Sequence, residues 1–382
     1  MHVIQVDTAE QISVSEPLLR PKMPELDVLR GIASLAVVFY HGLYYARDFS
    51  PFTLIQRRIL FAFSFGQFGV NLFFVLSGFL ITGLLLDSRE RPDYYRRFYV
   101  RRALRILPAY YAILLILALT RVGSNPFLIM SLFYCANLSP IFGIKMSYGV
   151  LWSLGVEEQF YLFWPTVVHR ITNRWLAIVA GAILVTSPLL RLACFLQAQH
   201  AGTLESSWSS FTLNAADGLA CGALLAIAVR AFCSDRQGLL RLSVLCLALA
   251  LIVALIGAPY GILTRQSKLG SALQAVPWNI GFTGIIGMFL LIGTTRWRSL
   301  VTPPLLIFFG NISYGLYMIH QLVFMGYGRF VAGVLPMSLG QPNSWPGIWL
   351  RLTIVTAVAV GVSHLSRRYF EEPFLRLKDK LT

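Results

Sequence analysis

Long apolar runs separated by short polar stretches make up most of this 382-residue chain. A helix rises about 1.5 Å per residue, so about 20 apolar residues cross a hydrocarbon core roughly 30 Å thick. Runs of this length predict about ten spans, near residues 28–46, 65–86, 103–121, 148–167, 175–196, 212–232, 238–258, 274–294, 303–325 and 347–369. The apolar stretch 126–134 is too short to cross, so we interpret it as re-entrant or interfacial.

The expected fold is an all-α integral membrane protein, a bundle of about ten transmembrane helices with no soluble domain. Composition agrees, because 56% of the residues are hydrophobic and 13% are charged, against roughly 25% charged in soluble domains. A net charge of +15 would suggest nucleic acid in a soluble protein. Here the basic residues lie between apolar runs, so we expect a lipid bilayer and no nucleic acid as partner.

The distribution of basic residues predicts the orientation. With the N-terminus inside, the two tails and the loops after even-numbered spans hold 22 of the 32 Lys and Arg residues, which leaves 10 for the other side. Such an excess is typical of the cytoplasmic face. We therefore predict cytoplasmic tails at residues 1–24 and 377–382, a single membrane domain at 25–376, and a location in the cell inner membrane.

Ionisable residues inside the spans are the candidates for chemistry, because their burial in a bilayer is costly. His41 follows Arg30 by eleven residues, about 16 Å along a helix, which predicts a position near the bilayer middle. It is either a general base or a polar group bonded between helices. Glu157 and Glu158 lie near the outer start of the fourth span. Adjacent helical residues point about 100° apart, so these two carboxylates cannot share one role.

Seven arginines between Arg89 and Arg105 exceed what orientation requires. Arg102 and Arg105 share one face of a helix and suit the phosphates of a lipid or of a nucleotide-type cofactor. The alternative is orientation together with anionic headgroups. In the second span, the small residues Ser77-Gly78 form a notch that could admit a substrate chain or a neighbouring helix. Packing of a neighbouring helix is the simpler interpretation. Asp217 and His320 could each have a functional role or could equally be polar groups that pack between helices.

Together these segments resemble acyltransferase family 3, bacterial integral membrane O-acyltransferases of surface glycans and related molecules. Arg30 and His41 match the family's Arg-x10-His signature. The further matches, in the family's order, are the FFxLSGFLI run at 73–81, the RRxxRIxP block at 101–108, the SLxxExxFY stretch at 153–161, the SYxxYLxH-like segment at 311–320 and the FExP-like end at 370–373. Many members carry Arg two residues before Asp217, but this chain has Ala215, which puts a role for Asp217 in doubt.

The resemblance implies an acyl-CoA donor, most often acetyl-CoA, a carbohydrate or glycan hydroxyl as acceptor, and no bound cofactor. It also implies a stand-alone membrane acyltransferase domain at 25–376. The residues that we predict to form the site are His41, Glu157 and Arg30 for catalysis, Arg101, Arg102 and Arg105 for the donor, and Ser77, Glu158, Tyr161 and His320 for substrate binding, with no metal ligand. The competing classes are a transporter or flippase and a non-enzymatic envelope assembly protein.

Overall fold

A computed structural model describes residues 17–44, 49–202, 210–231, 235–263, 267–334 and 344–381. Regular structure within these ranges is helical. The first sixteen residues of the predicted cytoplasmic tail lie outside the described residues, as does Thr382.

The first half of the chain contributes six α-helices. They are α1 (Pro24–Phe39), α2 (Leu54–Ala62), α3 (Gly69–Asp87), α4 (Tyr94–Leu119), α5 (Asn125–Leu132) and α6 (Leu151–Arg170). A π-helix, Tyr40–Tyr44, extends α1, and the 3-10 segments Phe63–Phe68 and Ala136–Phe142 precede α3 and follow α5. The eight-residue α5 covers most of the apolar stretch 126–134 and is too short to cross a bilayer,.

The second half contributes nine more α-helices. They are α7 (Asn173–His200), α8 (Thr212–Ala231), α9 (Arg236–Gly257), α10 (Lys268–Leu273), α11 (Ala275–Ile292), α12 (Arg298–Val301), α13 (Pro304–Val334), α14 (Trp345–Leu365) and α15 (Glu372–Leu381). A 3-10 turn, Ala258–Tyr260, follows α9, and the π-helix Ser366–Glu371 joins α14 to α15.

Nine helical segments of the described chain are long and apolar enough to cross a membrane, and the predicted all-α membrane fold is confirmed. They are Pro24–Tyr44, Leu54–Asp87, Tyr94–Leu119, Asn173–His200, Thr212–Arg230, Arg236–Tyr260, Lys268–Ile292, Arg298–Phe330 and Trp345–Leu377. The remaining predicted span corresponds to α6, which has 20 residues and carries Glu157 and Glu158. At about 1.5 Å per residue, α6 is also long enough to span.

The relative direction of α1 and α13 indicates that α6 crosses as the other long helices do. Gly310 packs against the backbone of Asp27, and further along the same two helices His320 meets His41. Because the contacts advance in the same direction along both helices, α1 and α13 run parallel. Successive crossing helices alternate in direction, so two parallel helices must have an odd number of crossing helices between them. Seven long helices, including α6, lie between α1 and α13 in the sequence. Without α6 the number would be six, and α1 and α13 would be antiparallel.

Two glycine contacts set the distances between the helices that carry the site. A Cβ on Gly310 would lie 2.6 Å from the carbonyl carbon of Asp27, and a Cβ on Gly78 would lie 2.8 Å from that of Leu219. Small residues of this kind let membrane helices approach backbone to backbone. In the notch of the second span, Gly78 therefore receives the neighbouring helix α8, and Ser77 is left to contact α6.

Candidate active site

His41 and His320 form a contacting pair between α1 and α13. The Nδ1 atom of His41 lies 2.9 Å from the carbonyl oxygen of Val37 and 3.3 Å from the Nε2 atom of His320. The ring centroids are 5.0 Å apart, and His320 is fully buried. His41 lies in the π-helical turn that ends at Tyr44, and such turns are frequent at functional sites,.

The place of His41 in its helix differs from the predicted one near the middle of the span. The described helical segment runs from Pro24 to Tyr44, so His41 lies in its last described turn. The prediction counted inward from Arg30, but α1 begins six residues before Arg30. His41 is therefore closer to the far end of the span, the outer end in the predicted orientation.

The segment of α13 around His320 is held by groups at the start of α6. The Tyr148 hydroxyl donates to the carbonyl oxygen of Met318 and accepts from the Leu322 N–H, so it stands between two groups that would otherwise pair within the helix. One turn along α6, the hydroxyls of Ser153 and Tyr317 lie 2.6 Å apart. These contacts fix the backbone on both sides of His320.

Glu157 belongs to a second cluster, with Ser77 and the arginines. Its Oε1 atom accepts a hydrogen bond of 2.7 Å from the Ser77 hydroxyl. The positive charges of Arg30, Arg102 and Arg105 act on this carboxylate. Three guanidinium groups in the field of this carboxylate partly offset the cost of its charge inside the bundle,.

Glu157 was predicted to lie near the outer start of its span and was not grouped with these arginines. We had placed the start of the third span at residue 103, but α4 begins at Tyr94. Its first turns pack antiparallel on the end of α6, where Tyr94 and Tyr99 donate to the Pro165 and Leu162 carbonyls. The helix therefore carries Arg105 about 16 Å beyond its first residue, to the level of Glu157.

Arg102 and Glu158 extend the cluster along α6. The Arg102 guanidinium lies 3.8 Å from the centre of the Tyr161 ring, a cation–π contact,. The Nε atom of Arg102 and the Oε1 atom of Glu158 are buried without a hydrogen-bond partner among the described residues. Buried polar atoms left in this state mark places where water or a ligand binds.

Tyr134, between α5 and the following 3-10 segment, was missed by the sequence interpretation. Its φ is 56°, a left-handed conformation that is rare for an aromatic residue,. Its ring stacks on Tyr110 at a centroid distance of 4.1 Å, and its carbonyl accepts a 2.9 Å hydrogen bond from Gln159. The Tyr134 hydroxyl is buried without a partner in the described part of the chain, within the field of Glu158. Only its position at the end of a non-crossing segment pointed to it.

The remaining predicted residues lie around these clusters. Arg30 makes a 2.8 Å salt bridge with Asp27, and Arg101 is half-buried on α4. Asp217 is paired with Arg191 of α7 at 2.8 Å. Among the described residues, no three His, Cys, Asp or Glu side chains lie close enough together to hold a metal ion.

The described chain is thus a helical membrane bundle with two clusters of ionisable side chains on neighbouring helices. The chain matches the acyltransferase domain family over residues 23–366. It belongs to that family, acyltransferase family 3, as the sequence motifs predicted.

Individual relatives carry related names. The chain is 34% identical to peptidoglycan O-acetyltransferase OatA of Listeria monocytogenes over 166 residues, 38% of this chain and 24% of the relative. It is 37% identical over 164 residues to a Bacillus subtilis protein provisionally named peptidoglycan O-acetyltransferase YrhL, covering 37% of this chain and 23% of that protein. A Staphylococcus aureus protein provisionally named O-acetyltransferase is 26% identical over 92% of this chain.

The chain spans about a quarter to just over half of the length of these relatives, since the Staphylococcus aureus match covers 57% of that protein. No match to a solved structure reaches significance.

Proposed function

We propose that the protein transfers an acyl group, most simply acetyl, from cytoplasmic acyl-CoA to a hydroxyl of a carbohydrate or glycan at the inner membrane. The observation that carries this proposal is the separation of the two clusters along α1. Arg30 belongs to the arginine cluster, and His41 lies eleven residues, about 16 Å, further along the same helix,. An extended donor with phosphates at one end and a thioester at the other fits that separation.

The chemistry follows from the two ends. The arginines bind the donor phosphates by charge-assisted hydrogen bonds. At the other end, His41 takes the proton of the acceptor hydroxyl, and the oxygen forms a bond to the thioester carbonyl carbon. The carbon–sulfur bond then breaks, and the leaving thiolate takes the proton back from the His41 imidazolium, which restores the base. Glu157, held by Ser77, balances part of the positive charge of the arginines and so acts on the donor side.

The acceptor has its own candidate binding groups. The unpartnered atoms of Glu158 and Tyr134 are hydrogen-bonding groups that a sugar hydroxyl could satisfy,. Tyr134 lies in the segment between α4 and α6, the outer side in the predicted orientation. The names of the relatives support a glycan acceptor, with peptidoglycan as the first candidate to test.

The direct test uses purified protein in liposomes with radiolabelled acetyl-CoA. We expect label in added peptidoglycan fragments or in extracted surface glycans, only when donor and protein are both present. A transporter or flippase would move glycan without labelling it. Mass spectrometry of surface glycans from a deletion strain and its parent would then identify the acceptor, as acyl groups missing from the deletion strain.

We expect Arg102→Ala and Arg105→Ala to raise the apparent donor KM, with a smaller effect on kcat. Loss of one charge-assisted hydrogen bond to phosphate costs about 1.5–3 kcal/mol, or roughly 10- to 150-fold in KM. Steady-state kinetics at varied acetyl-CoA concentration checks this. Arg96, exposed near the start of the same helix, is the matched control, and Arg96→Ala should leave the donor KM unchanged. An unchanged KM in all three variants would place the donor phosphates elsewhere.

Orientation is tested by reporter fusions that are active only in the periplasm. We expect silence from a fusion after Asp87, at the end of α3, and activity from a fusion after Gln199, at the end of α7. The reason is the excess of basic residues on the side that holds both tails. The reverse pattern would overturn the orientation, and with it the cytoplasmic entry of the donor.

A further inference from the structure

His320 was predicted to bind substrate, yet it is fully buried behind His41 and makes its polar contacts with protein groups. Three hydrogen-bond distances define these contacts. The Nδ1 atom of His320 lies 3.1 Å from the Leu316 carbonyl oxygen, its Nε2 atom lies 3.3 Å from Nδ1 of His41, and Nδ1 of His41 lies 2.9 Å from the Val37 carbonyl oxygen.

The two carbonyl groups determine where the protons sit. A carbonyl oxygen only accepts hydrogen bonds, so the ring nitrogen facing it must carry the hydrogen. His320 therefore has its hydrogen on Nδ1, and because a neutral imidazole has a single N–H, its Nε2 atom presents a lone pair. The Nδ1–H of His41 is then shared between the Val37 carbonyl and the His320 lone pair. The Nε2 atom of His41 is left as the basic nitrogen.

We propose that His320 is a positioning residue that, together with the Val37 carbonyl, holds His41 in the Nδ1–H tautomer and supports the imidazolium formed when His41 accepts a proton. This rests on the proposed function, in which His41 is the base. His320 occupies the place that a carboxylate takes beside the histidine of a Ser-His-Asp triad. A neutral imidazole there gives orientation without adding a second charge to a buried site.

The surrounding structure is built to hold this geometry. The Tyr148 hydroxyl pins the α13 backbone at Met318 and Leu322, on either side of His320. The ring of Tyr317 packs 5.9 Å from that of His320, and its hydroxyl is bonded to Ser153. The His320 ring therefore has little freedom to turn its Nε2 atom away from His41.

The tautomer can be measured without any substrate. The chain has six histidines, so solid-state NMR of ¹⁵N-histidine-labelled protein in lipid resolves a small set of ring nitrogens. The His41 signals are those lost in His41→Gln. We expect His41 of the unmodified protein to be the Nδ1–H tautomer, and His320→Leu to convert part of it to the Nε2–H form. An Nε2–H tautomer in the unmodified protein would overturn the proposal, whatever the enzyme assay shows.

Kinetics provide the second measurement. We expect His320→Leu to lower kcat by about 10- to 150-fold, the effect of losing one hydrogen bond to a charged group, with both KM values unchanged. His320→Gln should recover most of this loss, because its amide oxygen can accept the His41 Nδ1–H. Gln321, which accepts from the Val150 N–H, is the control on the same helix, and Gln321→Leu should leave kcat and the tautomer unchanged. Equal losses in the Leu and Gln variants with an unchanged tautomer would reduce His320 to a packing residue.

Discussion

Replacement of His41 by glutamine should lower kcat by about 10²–10⁴-fold, the typical contribution of a positioned general base. The amide can still bond to the Val37 carbonyl and to His320, so the contacts seen at Nδ1 are largely preserved. An amide cannot accept the acceptor proton, and the lost step is therefore chemical rather than structural. Turnover is measured on purified protein in lipid, normalised to the folded fraction, with both substrates at saturation.

His364 provides the matched control. It is a second span histidine, exposed on α14, with its ring centroid 5.6 Å from that of Phe308. His364→Gln changes the same chemical group outside the site and should leave kcat unchanged. If instead a stably folded His41→Gln variant kept substantial turnover, the base would have to be another group, and the role given to His320 would fall with it.

The pattern of apolar and polar residues was sufficient to predict where the helices lie, but not which helices pack against each other. Each predicted span falls on a helix, because a run of about 20 apolar residues has few other solutions in a bilayer,. The start of α4 was placed nine residues too late, since its first turns are basic and polar on the surface and are held by Tyr94 and Tyr99 against α6. Contacts of this kind depend on tertiary packing, which hydropathy does not report.

The same limit explains the site. The sequence marked Glu157, Ser77 and the arginines individually, but their grouping depends on which level of α4 meets which level of α6. His320 was recognised as a span histidine, yet only the parallel packing of α1 and α13 brings it to His41. Tyr134 carried the weakest signal, because a buried unpartnered hydroxyl and a left-handed φ are properties of the fold rather than of the residue type.

Asp217 shows how a departure from the family pattern can be accommodated. The arginine that many members carry two residues earlier is Ala215 here, and the structure supplies a guanidinium from α7 instead. Arg191 donates to the Asp217 carboxylate at 2.8 Å and also to the carbonyl oxygens of Asn214 and Ala272. The pair therefore joins α7, α8 and α10, and we infer a structural role for it.

Asp217→Ala should lower the free energy of unfolding by about 3–5 kcal/mol, the usual result of removing one partner of a buried ion pair. The side chain of Asp217 is 2% exposed and that of Arg191 is 15% exposed, so the abandoned guanidinium has little access to water. Denaturant or thermal unfolding of the purified protein in detergent measures the change. Replacing both partners by apolar residues, Asp217→Leu with Arg191→Met, should recover most of the lost stability, because no unpaired charge remains.

The ion pair between Asp87 and Arg230 is the control that separates the effect of burial from the effect of forming an ion pair. Their two hydrogen bonds, of 2.7 and 2.6 Å, have at least as good a geometry as the bond between Asp217 and Arg191. The Asp87 side chain is 59% exposed, however, so Asp87→Ala should cost no more than about 1 kcal/mol,. If the two alanine variants unfolded at the same denaturant concentration, burial would not be what makes the Asp217 pair important. If the Asp217 pair is a buried structural pair, Asp217→Ala should lose more stability than Asp87→Ala, and the double apolar variant should recover it. The folded fraction of Asp217→Ala should keep its normal turnover.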